Sequence, residues 1–350
     1  MTEKGQEHHK ALKDIKLSVL DLSPIVQEST AKQALHNTID LAQHVEKLGF
    51  ERFWLAEHHN MPGIASAATS VLIGQVASNT DKIRVGSGGV MLPNHAPLMV
   101  AEQFGTLETL FPGRIDLGLG RAPGTDQQTV QALRRGLRTG GEDFPELLEE
   151  LRKFFRAPEP GEKRVRAIPG EGLNIPIWLL GSSGFSAQLA AKLGLPFAFA
   201  SHFAPDHLLA ALDLYRRQFQ PSKVLDEPYA MAGVNVIAAD TDDQARMLAT
   251  SQELQFLNLI RGRPQPLDPP VDVEEMETIW HPHEKQVVKQ QLQASVVGDK
   301  QRVREELEEF LRVTQVDELI VNTHVYEHQE RVRSYEIVAE VHQDVSRQDY

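Results

Sequence analysis

Four short stretches of this sequence set reactive side chains among small ones. Glu57-His58-His59 offers one carboxylate and two imidazoles. Such a trio can pass protons or ligate a metal, although a histidine there can equally bond a backbone carbonyl beneath a loop. A metal would need further ligands, for which His95 and His202 are available near other strand ends. The run Gly118-Leu-Gly-Arg121-Ala-Pro-Gly124 sets a lone guanidinium among residues that let backbone amides come close. A planar fork of donors in that setting suits a phosphate. In Gly181-Ser-Ser-Gly-Phe-Ser186 the hydroxyls of Ser182, Ser183 and Ser186 open a helix. Free N–H groups and the helix dipole attract anions there, while plain capping by one serine would also account for them. Gly86-Ser-Gly-Gly89 falls inside an apolar run. Glycines in a strand mark a bulge, a kink, or a flat surface that something large and planar approaches.

These stretches fall at the ends of predicted strands. Apolar runs at Lys16–Leu22, Arg52–Glu57, Lys82–Met91, Arg114–Leu119, Ile175–Leu180, Pro196–Ala200, Tyr229–Ala238 and Glu318–Asn322 read as strands. Helical spacing separates them: Leu35, Ile39, Ala42, Val45 and Leu48 share one face between a capping box, Thr30 to Gln33, and a stop at Gly49. Further helices are expected over Ile64–Ser78, from Pro97, over Phe185–Leu193, Asp206–Phe219, Asp242–Ile260 and Gln329–His342. Eight β/α alternations predict a closed (β/α)8 barrel. Strands apolar throughout, such as IWLL and ELIV, fit parallel strands buried on both faces. Chemistry in such a barrel sits where strands end. Arg121 and the serine turn follow neighbouring strands, so they could grip one phosphate together.

The domain plan is a flexible tail over residues 1–14 and one barrel domain over 15–345, with insertions after strands four and seven. The Pro- and acid-rich stretch RGRPQPLDPPVDVEEME opens the second insertion, 261–300, read as a structureless lid or tether. The 36 Lys and Arg against 49 Asp and Glu leave a formal charge of −13, which disfavours nucleic acid and anionic membranes as partners. With no cysteine, disulfides, thiolate nucleophiles and iron–sulfur clusters are excluded, and a cytoplasmic location fits. The first 14 residues are too polar for a signal peptide.

Taken together, the segments FWLAEHHN (53–60), VGSGGVMLPNHAPLMVAEQFGTLETLFPGRIDLGLGRAPG (85–124), WLLGSSGFSAQLAAKLGLPFAFASHF (178–203) and DELIVNTHVYEHQERVRSYEIVAE (317–340) resemble the bacterial luciferase-like flavin monooxygenases. The resemblance spans nearly the whole chain and implies a barrel holding FMN as FMNH2, which reacts with O2 through a C4a-peroxyflavin to oxygenate a small organic substrate. It implies that Arg121, Ser183 and Ser186 bind the FMN phosphate, with the amides of Gly184 and Phe185 beside them. Gly88 and Gly89 correspond to a position where members often carry a non-prolyl cis peptide beneath the flavin ring. His58, followed by His59, corresponds to the catalytic histidine. Some luciferases carry Cys just before the phosphate arginine; Gly120 stands there in this chain, which argues against light emission.

The implied partners are a separate NAD(P)H-dependent flavin reductase, since no dinucleotide fingerprint of its own is present, and a second copy of the chain in a homodimer. Three other readings compete. One is a deazaflavin-dependent hydride-transfer enzyme of the same superfamily, and another is a flavin-binding protein without turnover. The third, a metal hydrolase using Glu57, His58 and His59, is disfavoured because a catalytic metal needs three or more converging ligands.

Overall fold

A computed structural model describes residues 10–122, 124–133 and 141–347 of the chain. Its strands are β1 (Lys16–Asp21), β2 (Arg52–Leu55), β3 (Arg84–Met91), β4 (Ile115–Gly120), β5 (Ile177–Gly181), β6 (Phe197–Phe199), β7 (Ala230–Ala238), β8 (Ser295–Gly298) and β9 (Glu318–Asn322). All pairings between them are parallel. β1 through β7 pair in sequence, β7 pairs β9, and β9 returns to β1, closing an eight-stranded barrel. The predicted (β/α)8 barrel is thus the observed architecture. β8 is a ninth strand that is not part of this closed ring; it pairs with the C-terminal half of β7, Asn235–Ala238.

Alternation along the strands explains their unbroken apolar character. Leu17, Val19, Phe53, Leu55, Leu319 and Val321 face the helices, while Leu20, Trp54, Trp178 and Ile320 fill the barrel. Trp54 and Trp178 meet edge to face, 5.2 Å between centroids, and occupy the middle of the interior. Below them lies a charged layer that the sequence reading missed. Arg52 donates to Asp116 at 2.7 Å and to Glu318 at 2.9 Å, and Arg84 reaches Asp116 at 2.6 Å. Ser18 and Tyr229 also donate to Glu318. Buried charges persist only when paired and hydrogen-bonded in this way.

The first helix, Ala31–Leu48, starts where Thr30 accepts from the Gln33 amide and stops at Gly49, whose φ of 88° is left-handed. The reciprocal half of the expected capping box is not made, because the Gln33 side chain donates to Asn37 instead. The helix expected over Ile64–Ser78 begins only at Thr69.

The segment 261–300, expected to be structureless, carries the helices Val273–Ile279 and Pro282–Gln291 and then β8. Met276, Trp280, Val288 and Leu292 bury themselves against Leu254 and Leu257, which is why its acidic, Pro-rich start misleads. Leu267 pairs by backbone bonds with Ile25 and Gln27, docking the segment on the loop after β1. The insertion after β4 holds the helices Gln127–Leu133 and Phe144–Phe155. Residues 10–14, assigned to the tail, are packed: Leu12 is buried and Lys10 pairs with Asp317. The rest of that tail lies outside the described residues. No helix among the described residues is long and apolar enough to cross a membrane.

Candidate active site at the barrel mouth

The floor of the mouth is shaped by glycine. The Gly88–Gly89 peptide is cis. A Cβ at Gly88 would lie 2.6 Å from Leu20 Cδ1, and one at Gly89 would lie 2.7 Å from the carbonyl oxygen of Gly118. The register of β3 against β4 slips between Ser87 and Val90, so the strand bulges here as its glycines predict. Ser87 clamps the bulge, donating to the Gly118 carbonyl at 2.8 Å and accepting from the Gly118 amide at 3.0 Å. The result is a bulged, glycine-lined strand end packed tightly on Leu20, Trp54 and β4.

Arg121 stands one residue past β4. Its guanidinium sits over the Phe185 ring, 4.3 Å from the centroid. Phe185 is the second residue of the helix Gly184–Leu193, which follows β5. The two loops meet because β4 and β5 pair in register, Leu119 opposite Leu179. Ser183 is the N-cap residue of that helix, yet its side chain makes no capping bond. Plain capping therefore does not account for it, and its hydroxyl is free to join the helix amides in binding an anion. Ser186 is buried and packs on Gly181, where a Cβ would meet its Oγ at 2.7 Å. Gly184 lies against Leu214. Gly120 packs on the Met91 thioether.

The histidines separate into two groups. Glu57, buried at 2% exposure, accepts from His59 Nε2 at 2.9 Å and from His95 Nε2 at 2.9 Å, and also from the Met91 amide. Burial raises the Glu57 pKa, but the hydrogen bonds and charges of His95 and His59 outweigh it and hold the carboxyl below the usual range. These three side chains have the spacing of a metal trio, but their ligand atoms already satisfy one another. Thr125 donates to the His59 carbonyl and Asn60 donates to Asp126, so the Glu57 group also ties down the loop that carries Arg121.

His58 is held apart from that trio. Its Nδ1 lies 3.3 Å from the Gly124 carbonyl oxygen. A carbonyl can only accept, so Nδ1 carries the proton and Nε2 keeps its lone pair. Burial lowers the His58 pKa against the opposing influence of Gly124 and Glu57, so the ring is a neutral base at pH 7. His202, considered in the sequence as a ligand alongside His95, stands instead across the mouth, with His324 after β9. His324 escaped the sequence reading; its signal is its place two residues past a strand end. Trp54, Phe104 and Phe199 are buried core, while Phe203 is exposed and packs edge-on to His202.

The profile described as luciferase-like monooxygenase matches residues 15–318. A luciferase-like monooxygenase of Escherichia coli K12 is 54% identical over 333 residues, covering 95% of this chain and 98% of its own. N-acetyl-S-alkylcysteine monooxygenase of Bacillus subtilis is 36% identical over 332 residues, covering 93% and 98%. Among solved structures, apo-MsnO8 superposes with a TM-score of 0.87 at 36% identity, covering 94% of this chain and 98% of its own.

Proposed function

Because this chain belongs to the luciferase-like monooxygenase family, we propose that it is a two-component monooxygenase that holds reduced FMN in the barrel mouth and oxygenates a small organic substrate with O2. The observation that carries this reading is the meeting of Arg121 with the turn Ser183–Ser186 beside the glycine-lined end of β3. Reduced FMN, once bound, supplies the reaction with O2 that places one oxygen atom on the substrate and releases the other as water.

The chain's own residues have four roles. Arg121, Ser183, Ser186 and the amides of Gly184 and Phe185 would bind the phosphate, the charged end of the cofactor. Gly88 and Gly89 would underlie the ring system; a Cβ on either would strike Leu20 or the Gly118 carbonyl, so the backbone can take this course only with glycine at both positions. His58, neutral and open at Nε2, would move a proton between the flavin region and the substrate. His59 acts differently from its neighbour. Its Nε2 is committed to Glu57, so it fixes the loop that presents His58.

Reduced cofactor would come from a separate NAD(P)H-dependent flavin reductase, and the homodimer and cytoplasmic location belong to the same reading. A Bacillus subtilis relative is named for a thioether substrate, so thioethers are the first substrate class to test.

The test is an anaerobic titration with reduced FMN followed by rapid mixing with O2. Tight binding, then a transient oxygenated flavin and an oxygenated product, is the expected result. Tight binding of a deazaflavin with no reaction toward O2 would replace this reading with hydride transfer. Binding without any turnover would leave a flavin carrier.

A further inference from the structure

One polar feature of the mouth has no role in the flavin reading. His202 follows β6 and His324 follows β9, and β9 stands diametrically opposite β4 in the closed strand order. The two rings thus stand away from Arg121, with His58 after β2 facing them. Neither ring hydrogen-bonds any described residue, and both Nδ1 atoms are sealed from solvent without a partner. An unpaired buried donor is costly, so the proton belongs on Nε2, the edge left to face the mouth.

The placement is built in. The His202 ring fits only because residue 233 of β7 is glycine, where a Cβ would lie 2.2 Å from Nδ1. Asn235 donates to the His202 carbonyl at 2.5 Å and itself accepts from Asn322 at 3.2 Å. Arg331 donates to the carbonyl of Thr323, the residue before His324. The nearby acids are committed elsewhere: Asp21 pairs with Arg331 at 2.6 Å, and Glu57 holds His59 and His95. Three imidazoles therefore converge with every nearby carboxylate already paired, the arrangement that an incoming anionic oxygen completes.

We propose that His202 and His324, with His58 facing them, form the substrate-anchoring subsite, and that the substrate carries a carboxylate. The proposal rests on the flavin occupying the β4–β5 side of the mouth. Burial, reinforced by repulsion from His324 and His58, holds His202 down to about 3. Burial and repulsion from Arg331 and His58, opposed by Asp21, hold His324 at about 4. His58 is lowered by burial and by His59, against Gly124 and Glu57. The subsite is thus neutral at pH 7, where the Nε2–H groups of His202 and His324 donate to a bound carboxylate; the carboxylate also raises the pKa of His58, whose Nε2 keeps its lone pair, so binding takes up a proton there.

The experiment uses the FMN-loaded protein and matched probes: butanoate, hexanoate and octanoate, each against its primary amide. Affinity is read by flavin absorbance and by calorimetry in buffers of differing ionisation heat. At least one carboxylate is expected to bind about tenfold more tightly than its amide, with proton uptake. His202→Gln and His324→Gln are each expected to reduce that preference to about threefold or less without shifting FMN affinity. Equal binding of acid and amide, no binding of any carboxylate, or full preference in both variants would overturn the subsite. The wild-type comparison decides the matter even if a variant fails to fold. Failure of the wild-type chain to take up FMN shows in the first titration and sinks the flavin reading instead.

Discussion

The Arg121 guanidinium rests on the Phe185 ring at 4.3 Å from its centroid, one residue from the loop after β4 and the other from the helix after β5. The aromatic face fixes the plane of the guanidinium and leaves its edge free for an anion. Replacing Phe185 with Leu keeps the bulk and removes the π face. A loss of about 0.5–1 kcal/mol in FMN affinity is expected, the worth of an exposed cation–π contact. Fluorescence titration checks it, and an unchanged affinity would mean that the stacking does not orient the arginine.

Gly89→Ala drives a Cβ to 2.7 Å from the Gly118 carbonyl, a backbone atom that cannot swing away. A destabilisation of about 1–3 kcal/mol is expected from overpacking, together with weakened flavin binding because the strand end moves. Thermal unfolding and FMN titration of the same variant measure the two effects.

His58→Ala should slow turnover by about a hundredfold, the usual contribution of a positioned acid–base group, while FMN affinity stays within about twofold because His58 is not among the phosphate contacts. Steady-state kinetics with a thioether substrate and a supplied reductase reads the first, and flavin titration the second. Normal turnover would take His58 out of the proton path.

Acid should destabilise the fold through the buried histidines. His202 and His324 have folded pKa values of about 3 and about 4, below the ordinary 6.5 that they regain on unfolding. The unfolded chain therefore binds more protons as pH falls. The stability they contribute is fully present above pH 6.5 and is lost as pH drops toward 4, at up to about 1.4 kcal/mol per pH unit for each ring. The double variant His202→Gln, His324→Gln should show a flatter loss in urea midpoints between pH 6.5 and 4.5 than wild type. Parallel curves would contradict these shifts.

Arg52→Met would leave Asp116 and Glu318 buried beneath Trp54 without their shared partner. A loss of about 3–5 kcal/mol is expected, as for other buried pairs broken on one side. Urea unfolding measures it, and a loss below about 1 kcal/mol would show that Arg84 alone neutralises that layer.

The barrel was legible because strands buried on both faces read as unbroken apolar runs and each was followed by a helical pattern. The strand-end motifs were legible for a related reason: glycines, serines and a lone arginine interrupt those runs where the strands finish. β8 was hidden because Ser295–Gly298 is four residues long and pairs with only half of β7. The helix Val273–Ile279 was masked by its acids, although Met276 turns inward among them. The charged layer was invisible because Arg52, Asp116 and Glu318 sit on three strands far apart in sequence and each alone looks like a solvated end. His202 and His324 come together only through barrel closure, which no local pattern encodes.

The central claim is that Arg121 and the serine turn hold one phosphate. Reduced FMN and reduced riboflavin differ by that phosphate alone, so their affinities should be compared in wild type and in Arg121→Ala under anaerobic conditions. Wild type should prefer FMN by about 1.5–3 kcal/mol, the worth of a charged hydrogen bond, and the variant should lose that preference while binding riboflavin as before. An undiminished preference for FMN in Arg121→Ala would contradict the account.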